Sequence, residues 1–379
     1  MDRPLRIAMF GHKRIPSREG GVEIVVEELC TRMVKDGNLV TCYNRAGHHV
    51  SGEQFDDKKT KEYQGIKLKT VPTINKKGLA AVSSSFFASL RCAFGKYDVV
   101  HIHAEGPAYF SWIPKVFGKR VVVTIHGLDW ARAKWKGGFA SRFIKKGEEC
   151  AVKHADAIIV LSRNIQDYFK KTYNRETVYL PNGVSIPHKE DAGLINKNYG
   201  LVKDSYILFL GRLVPEKGIM YLIEAFKQLN TDKKLVVAGG ASDSDDFVNE
   251  LRELAKDDGR IIFTGFVEGK LLEELYSNSY IYVLPSDLEG MPLSLLEAMS
   301  YGNCCVVSDI PECLEVVESN AVVFKKGDVS SLKDVLQKLV DDDVLVSKYK
   351  SISNSFICNK YSWNDIVERT LLLYEKKDK

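Results

Sequence analysis

Two hydrophobic patterns alternate along the chain. Short apolar, β-rich runs recur at Leu5–Phe10, Leu39–Tyr43, Val99–His103, Val121–Ile125, Ala157–Leu161 and Val178–Leu180. A second series follows at Tyr206–Leu210, Lys234–Ala238, Ile261–Thr264, Tyr280–Leu284, Cys304–Ser308 and Ala321–Phe324. Between them lie longer segments with helical spacing of apolar residues, such as Val22–Lys35, Lys217–Leu229, Phe247–Lys256 and Leu293–Tyr301. Strands alternating with helices predict parallel sheets covered by helices on both faces. Two series of about six strands predict two doubly wound α/β domains, and 379 residues exceed the usual size of one core. The break falls near Leu180-Pro-Asn-Gly183 and the polar stretch Pro187–Asn198, where turn residues cluster. The domains are therefore expected at 1–185 and 186–360, with a last helix (Trp363–Tyr374, within 361–379) crossing back to brace the first.

Composition narrows the classes. Apolar residues make up 45% and charged residues 27%, as in ordinary soluble globular proteins. A formal charge of +4 is too small to indicate a nucleic-acid binder. The eight cysteines form no CxxC pair, and Cys304-Cys305 are adjacent inside an apolar strand pattern. Free thiols in a reducing cytosol are expected, with neither a disulfide framework nor a zinc site. No apolar run reaches membrane-spanning length, and no signal-peptide core is seen at the N-terminus. The expected location is cytoplasmic, soluble or peripheral on the inner face of the membrane.

Candidate chemistry collects after the strands. In Glu289-Gly-Met-Pro-Leu-Ser-Leu-Leu-Glu297, Glu289 belongs to a strand-to-helix loop and Glu297 is expected about two turns into the following helix. The carboxyl ends of strands in open parallel sheets are where ligands bind, and carboxylates there accept hydrogen bonds from sugar hydroxyls. The plainer alternative is a Glu at a positive helix N-terminus and another on a solvated face. Arg212 follows the strand Tyr206–Leu210, and Lys217 is expected to start the next helix. A guanidinium and an ammonium so placed suit a diphosphate; a solvated surface pair is the alternative. Gly20-Gly21 precede a helix and either admit a phosphate or sugar close to backbone or serve a turn needing φ > 0. They do not form GxGxxG, so a dinucleotide fingerprint is not supported. Asp243-Ser-Asp245-Asp246 is read as a solvated loop.

Taken together, these motifs resemble glycosyltransferase family 4 on the GT-B fold, over nearly the whole chain. The elements that carry the resemblance are Glu289…Glu297, Gly211-Arg212…Lys217-Gly218, Gly20-Gly21, Thr124-Ile-His126-Gly127 and Leu180-Pro-Asn-Gly-Val184, in the family's order. The stretch from Gly11 to Glu23 is similar to the bacterial branch that builds capsule, exopolysaccharide or O-antigen. The resemblance implies two Rossmann-like domains facing across a cleft and a retaining transfer from a nucleotide sugar to a growing, lipid-linked glycan. It implies that Arg212 and Lys217 hold the donor diphosphate, that Glu297 takes the ribose hydroxyls and Glu289 the transferred sugar, and that His126 sits beside the reacting sugar. Gly20, Gly21, Gly211, Phe266, Val267, Gly290, Met291, Pro292 and Leu293 would line the donor site. The resemblance further implies an oxocarbenium-like transition state, transfer of the acceptor's proton to the departing phosphate, and no requirement for a metal or other cofactor.

This chain departs from the family pattern at Ser185, at Gly302-Asn-Cys-Cys-Val306 and at Asp309–Glu315, close to the implied donor pocket, so donor sugar and base are not legible. Residues 131–154 carry seven cations (Arg132, Lys134, Lys136, Arg142, Lys145, Lys146 and Lys153) against Glu148 and Glu149, interleaved with Trp135, Phe139 and Phe143 and preceded by Trp130. With Lys13 and Arg14, they are expected on the acceptor or membrane side, against anionic lipid; the alternative is an amphipathic helix with core aromatics and a solvated basic face. Two other classes compete: a nucleotide-sugar epimerase or hydrolase of the same fold, and a non-catalytic sugar-nucleotide-binding subunit. The E-x7-E placement argues against the first, and intact Arg212, Lys217, Glu289 and His126 against the second.

Overall fold

A computed structural model of the chain describes residues 3–47, 60–76, 78–131, 138–240 and 246–375. They fold as two compact units: Met1–Asn182 with Trp363–Lys379, and Gly183–Ser362.

The first unit contains an eight-stranded sheet. Its strands are β1 (Arg6–Phe10), β2 (Leu39–Arg45), β3 (Glu62–Tyr63), β4 (Ile66–Val71), β5 (Val99–His103), β6 (Arg120–Ile125), β7 (Ala157–Val160) and β8 (Val178–Tyr179). Their spatial order is β3-β4-β2-β1-β5-β6-β7-β8, all parallel except the β3–β4 pair. Two of these strands exceed the six expected. β4 reads Ile-Lys-Leu-Lys-Thr-Val and buries only its ends fully. A strand near a sheet edge keeps one face wet, so it lacks the continuous apolar run of the central strands. The helix Trp363–Glu375 belongs to this unit, where Tyr374 reaches His101 and Arg369 donates to the Tyr179 carbonyl.

The second unit holds β9 (Tyr206–Leu210), β10 (Lys234–Ala238), β11 (Ile261–Gly265), β12 (Ile281–Leu284), β13 (Cys304–Ser308) and β14 (Val322–Phe324). All are parallel, in the order β11-β10-β9-β12-β13-β14. The strands read as continuous apolar runs because helices cover both faces. Ile207, Phe209, Val237 and Val283 are fully buried beneath Leu222, Phe226 and Leu336. Each such side chain contributes roughly 2 kcal/mol by leaving water.

The strand order fixes where chemistry can occur. In each sheet the chain builds outward in one direction and then crosses to the other side of its first strand. The reversal lies between β1 and β5 in the first unit and between β9 and β12 in the second. At such a point the two flanking loops leave in opposite directions and open a crevice at the carboxyl ends of the strands. Gly11, His12 and His103 border the first crevice; Gly211, Arg212 and the loop to Glu289 border the second.

Candidate functional site

In the second unit, β9 leads through Arg212 to a turn of 3-10 helix at Pro215–Lys217, and the helix Ile219–Lys227 starts only after Gly218. Lys217 therefore precedes the helix it was expected to begin. Gly218 has φ 65, and a Cβ on it would lie 2.0 Å from the Pro285 carbonyl oxygen. Only glycine lets the β9 loop pack backbone to backbone against the β12 loop. The Asp287 N–H donates to the Glu216 carbonyl at 2.8 Å, and Tyr221 donates to the Asp287 carboxylate at 3.1 Å.

With the loops fastened, Lys217 Nζ lies 2.5 Å from Glu289 Oε1. The side chains are only 13% and 9% exposed. Ser286 Oγ donates to the same carboxylate oxygen at 2.7 Å, and the Ser286 carbonyl accepts from Ser308 Oγ at 2.5 Å. A largely desolvated ion pair is costly to form unless further hydrogen bonds support it, and Ser286 supplies one. Arg212 lies half-buried on the same loop.

Glu297 is the fifth residue of the helix Leu293–Ser300, about one turn from its start rather than two. Gly290, Met291 and Pro292 remain outside the helix, with Pro292 in extended backbone as its N-cap. The Tyr276 hydroxyl donates to Glu297 Oε2 at 3.1 Å, and its ring stacks on Tyr301 with centroids 5.2 Å apart. Burial, and then the charge of Glu297, push the Tyr276 phenol well above its ordinary range, so it remains a donor. Tyr282 donates to Ser294 Oγ on the same helix at 2.9 Å. Glu297 is thus held from behind by an aromatic layer. Gly290, Met291, Pro292 and Leu293 are buried, as is Val267, while Phe266 is half-buried with its Cβ 3.5 Å from where a Cβ on Gly240 would stand. A Cβ on Gly239 would lie 1.8 Å from the Gly211 carbonyl, which fixes the β9 and β10 loops against each other.

In the first unit, His126 follows β6, and its Nε2 lies 3.1 Å from Nδ1 of His103, the last residue of β5. His101, two residues earlier, holds Tyr374 at 2.6 Å and Thr124 at 2.7 Å. His12 follows β1 and holds Asn44 Oδ1 at 3.1 Å. That oxygen also accepts from the Ile15 N–H, so His12 Nε2 must carry the proton. Burial pushes His12 down to about 4 and His101 down to about 3. Burial, with the neighbouring histidines, holds His103 well below the usual range. A Cβ on Gly11 (φ +111) would lie 2.0 Å from the His103 carbonyl oxygen, so the two strand ends meet at backbone distance.

Several expectations are corrected here. Gly20 has φ −163, and neither it nor Gly21 is among the positive-φ residues, so no left-handed turn requires glycine. Space is the constraint at Gly20, where a Cβ would lie 2.7 Å from Glu23 Oε2; Gly21 is the first residue of the helix. Arg14 is 5% exposed and does not face a membrane; Lys13 is partly exposed and pairs with Glu19. Arg132, Lys134, Lys136 and Trp135 lie outside the described residues, as do Asp243 and Asp245. Within the helix Phe139–His154, Arg142, Lys146, Glu149 and Lys153 form an exposed stripe. The neighbouring aromatics turn inward: Phe143 packs against Tyr109, and Trp130 donates to the buried Glu148 at 3.1 Å. Lys145 lies over the Trp130 ring at 4.2 Å and donates to Tyr168, so its ammonium is directed at aromatic rings. Glu148 also accepts from Tyr168 at 2.8 Å and from Tyr173, and it faces Glu105, whose carboxyl burial pushes well above the usual range.

Sequence reasoning missed His12, His101, His103, Ser286 and Tyr276. For two of them a signal was present: His101-Ile-His103 ends a strand, and residues two apart on a strand share one face. Nothing local marks Ser286 or Tyr276, which act through residues distant in sequence.

Two family profiles match the chain. Residues 19–186 match the one described as Glycosyltransferase Family 4, and residues 194–373 match Glycosyl transferases group 1. An uncharacterized glycosyltransferase of Methanocaldococcus jannaschii is 24% identical over 98% of both chains. The UDP-Gal:alpha-D-GlcNAc-diphosphoundecaprenol alpha-1,3-galactosyltransferase of Escherichia coli is 29% identical over 69% of this chain and 71% of its own. Among solved structures, Anabaena HepE in complex with UDP-glucose superposes with a TM-score of 0.80 at 17% identity, covering 97% of this chain and 99% of that one.

Proposed function

This chain belongs to the family 4 glycosyltransferases of the GT-B fold, and from that premise we propose that it is a retaining enzyme acting on a nucleotide sugar. The transfer goes to a lipid-linked glycan of the cell surface. The observation that carries the donor reading is the Lys217–Glu289 pair, which with Arg212 borders the crevice where β9 and β12 part.

The roles follow from charge and position. Arg212 and Lys217 hold the donor diphosphate and meet the charge that grows on it as the glycosidic bond breaks. Glu297, held by Tyr276, accepts the ribose hydroxyls. Glu289 accepts hydroxyls of the transferred sugar, and His126 contacts the reacting sugar. The bond from the anomeric carbon to phosphate oxygen breaks, and a bond to the acceptor hydroxyl oxygen forms on the same face. The acceptor proton passes to the departing phosphate, so nucleoside diphosphate is released. The two cations supply the charge stabilisation, and no metal ion is assigned to the step.

One structural neighbour and one sequence relative support the choice of substrates. HepE binds UDP-glucose, and the Escherichia coli galactosyltransferase uses a diphosphoundecaprenol-linked acceptor. A peripheral membrane contact suits such an acceptor; the exposed stripe of Arg142, Lys146 and Lys153, three cations against Glu149, supports it. Among the described residues, no helix is long and apolar enough to cross a membrane.

The test is a panel of UDP-, GDP- and ADP-sugars, following nucleotide release with and without a polyprenyl-diphosphate oligosaccharide. Acceptor-stimulated release is expected. A nucleotide at 100 times its dissociation constant should also stabilise the protein by about 2.7 kcal/mol. The absence of both stabilisation and release with every member of the panel would sink the proposal.

A further inference from the structure

His126 is the last ring in a stack of three. His101 and His103 lie with ring centroids 4.2 Å apart, and His103 and His126 follow at 5.3 Å, each pair tilted by 32°. The far end of the stack is clamped, because Tyr374 and Thr124 hold the two nitrogens of His101. The middle ring is fully buried, and its backbone is pinned on both sides. Gly11 approaches its carbonyl too closely to carry a side chain, and the next residue, Ala104, has φ 75 while its N–H donates to the Thr124 carbonyl at 2.9 Å. A non-glycine residue in that region is sparsely populated and persists where its surroundings determine it.

Two imidazole nitrogens at 3.1 Å impose a rule: one carries hydrogen and the other offers a lone pair. His103 cannot readily become charged in this setting, since burial and three nearby histidines oppose it. A neutral ring has one N–H. Its Nε2 is buried and finds no hydrogen-bond partner among the described residues, whereas its Nδ1 faces His126. Hydrogen on Nδ1 is therefore used, while hydrogen on Nε2 would be buried and wasted.

We propose that His103 is a positioning residue for His126: its Nδ1–H donates to His126 Nε2, fixing the plane of that ring and confining the His126 proton to Nδ1. The proposal rests on the reading of His126 as a contact of the reacting sugar. Without that bond, Nε2 of the ring would lose the donor that keeps it an acceptor. Misplacement of a contact by about 1 Å can cost 100-fold in rate.

Asparagine and glutamine separate a hydrogen-bonding role from simple packing. The Asn amide nitrogen can occupy the place of Nδ1, whereas Gln carries its amide out to the place of Nε2. Full-length His103→Asn, His103→Gln, His103→Leu and His126→Ala would be compared with the parent, using the nucleotide sugar turned over fastest in the panel. Turnover in His103→Gln and His103→Leu should fall roughly 10- to 100-fold with KM for the donor unchanged. His103→Asn should recover most of that loss. Nitrogen-15 spectra of the parent should show the His126 proton on Nδ1, and a tautomer mixture in His103→Gln. If His103→Leu does not fold, the Asn and Gln variants alone decide. Loss of turnover in His126→Ala with parental turnover in all folded His103 variants overturns the inference. Parental turnover in His126→Ala overturns the reading of His126 on which it stands.

Discussion

Lys217 and Glu289 are 72 residues apart in sequence, yet their charged atoms lie 2.5 Å apart in the second unit. The pair is nearly desolvated and shares its carboxylate oxygen with Ser286. The lysine's charge is balanced by this carboxylate, so neither group is buried unpaired.

Lys217→Met and Arg212→Ala should each lower turnover by an amount equivalent to about 3–4 kcal/mol of barrier. Lys217→Met also strands Glu289, and Glu289→Leu strands Lys217. Each single change should therefore destabilise the fold more than its share in the double variant, with a coupling of about 1–3 kcal/mol in denaturant titrations. Additive losses would mean that the ion pair does not form in solution.

Glu297→Gln should weaken binding of bare nucleoside diphosphate, because a ribose contact exists before reaction. Glu289→Gln should leave that binding nearly unchanged and lower turnover with the sugar donor. Tyr276→Phe should resemble a mild Glu297→Gln, losing about 0.5–1.5 kcal/mol for one hydrogen bond. Calorimetry with the nucleoside diphosphate separates these cases, and equal losses in the Glu297 and Glu289 variants would mean the assignment is wrong.

Activity should persist in excess EDTA, since Arg212 and Lys217 are assigned the charge that a metal would otherwise meet. Abolition by chelator with recovery on adding magnesium or manganese would show that a cation is needed.

Stability should fall on acidification from about pH 6.5 towards pH 4. His12 and His101 are held neutral in the fold, with values of about 4 and about 3. The unfolded chain binds their protons first, near 6.5, so the fold loses about 1.4 kcal/mol per pH unit for each histidine across that window. His101→Gln should flatten the slope of denaturation free energy against pH between 6 and 4. A slope identical to the parent's would show that His101 is charged in the folded state.

Vesicles of anionic lipid should retain the protein at low salt and release it as salt rises, since screening shortens to roughly 3 Å in 1 M salt. Reversing Arg142, Lys146 and Lys153 to Glu should weaken retention by about 1 kcal/mol or more per site. It should leave donor hydrolysis unchanged. Undiminished sedimentation of the triple variant would move the membrane contact elsewhere.

The fold class was legible in the chain, because each central strand must bury both faces and so reads as an unbroken apolar run. The sequence also located Arg212, Lys217, Glu289 and His126 after strands, where a parallel sheet exposes its carboxyl ends. It could not reveal β4, whose lysines face water, or show that Trp130 and Lys145 turn inward. Tertiary structure alone decided which of these groups meet. The Lys217–Glu289 pair, the Tyr276 support of Glu297 and the His103–His126 bond join positions 72, 21 and 23 residues apart. Their chemistry depends on distance through space and on what excludes water. Neither is a property of any single stretch of chain, and both are fixed when glycines such as Gly11 and Gly218 let strand-end backbones touch.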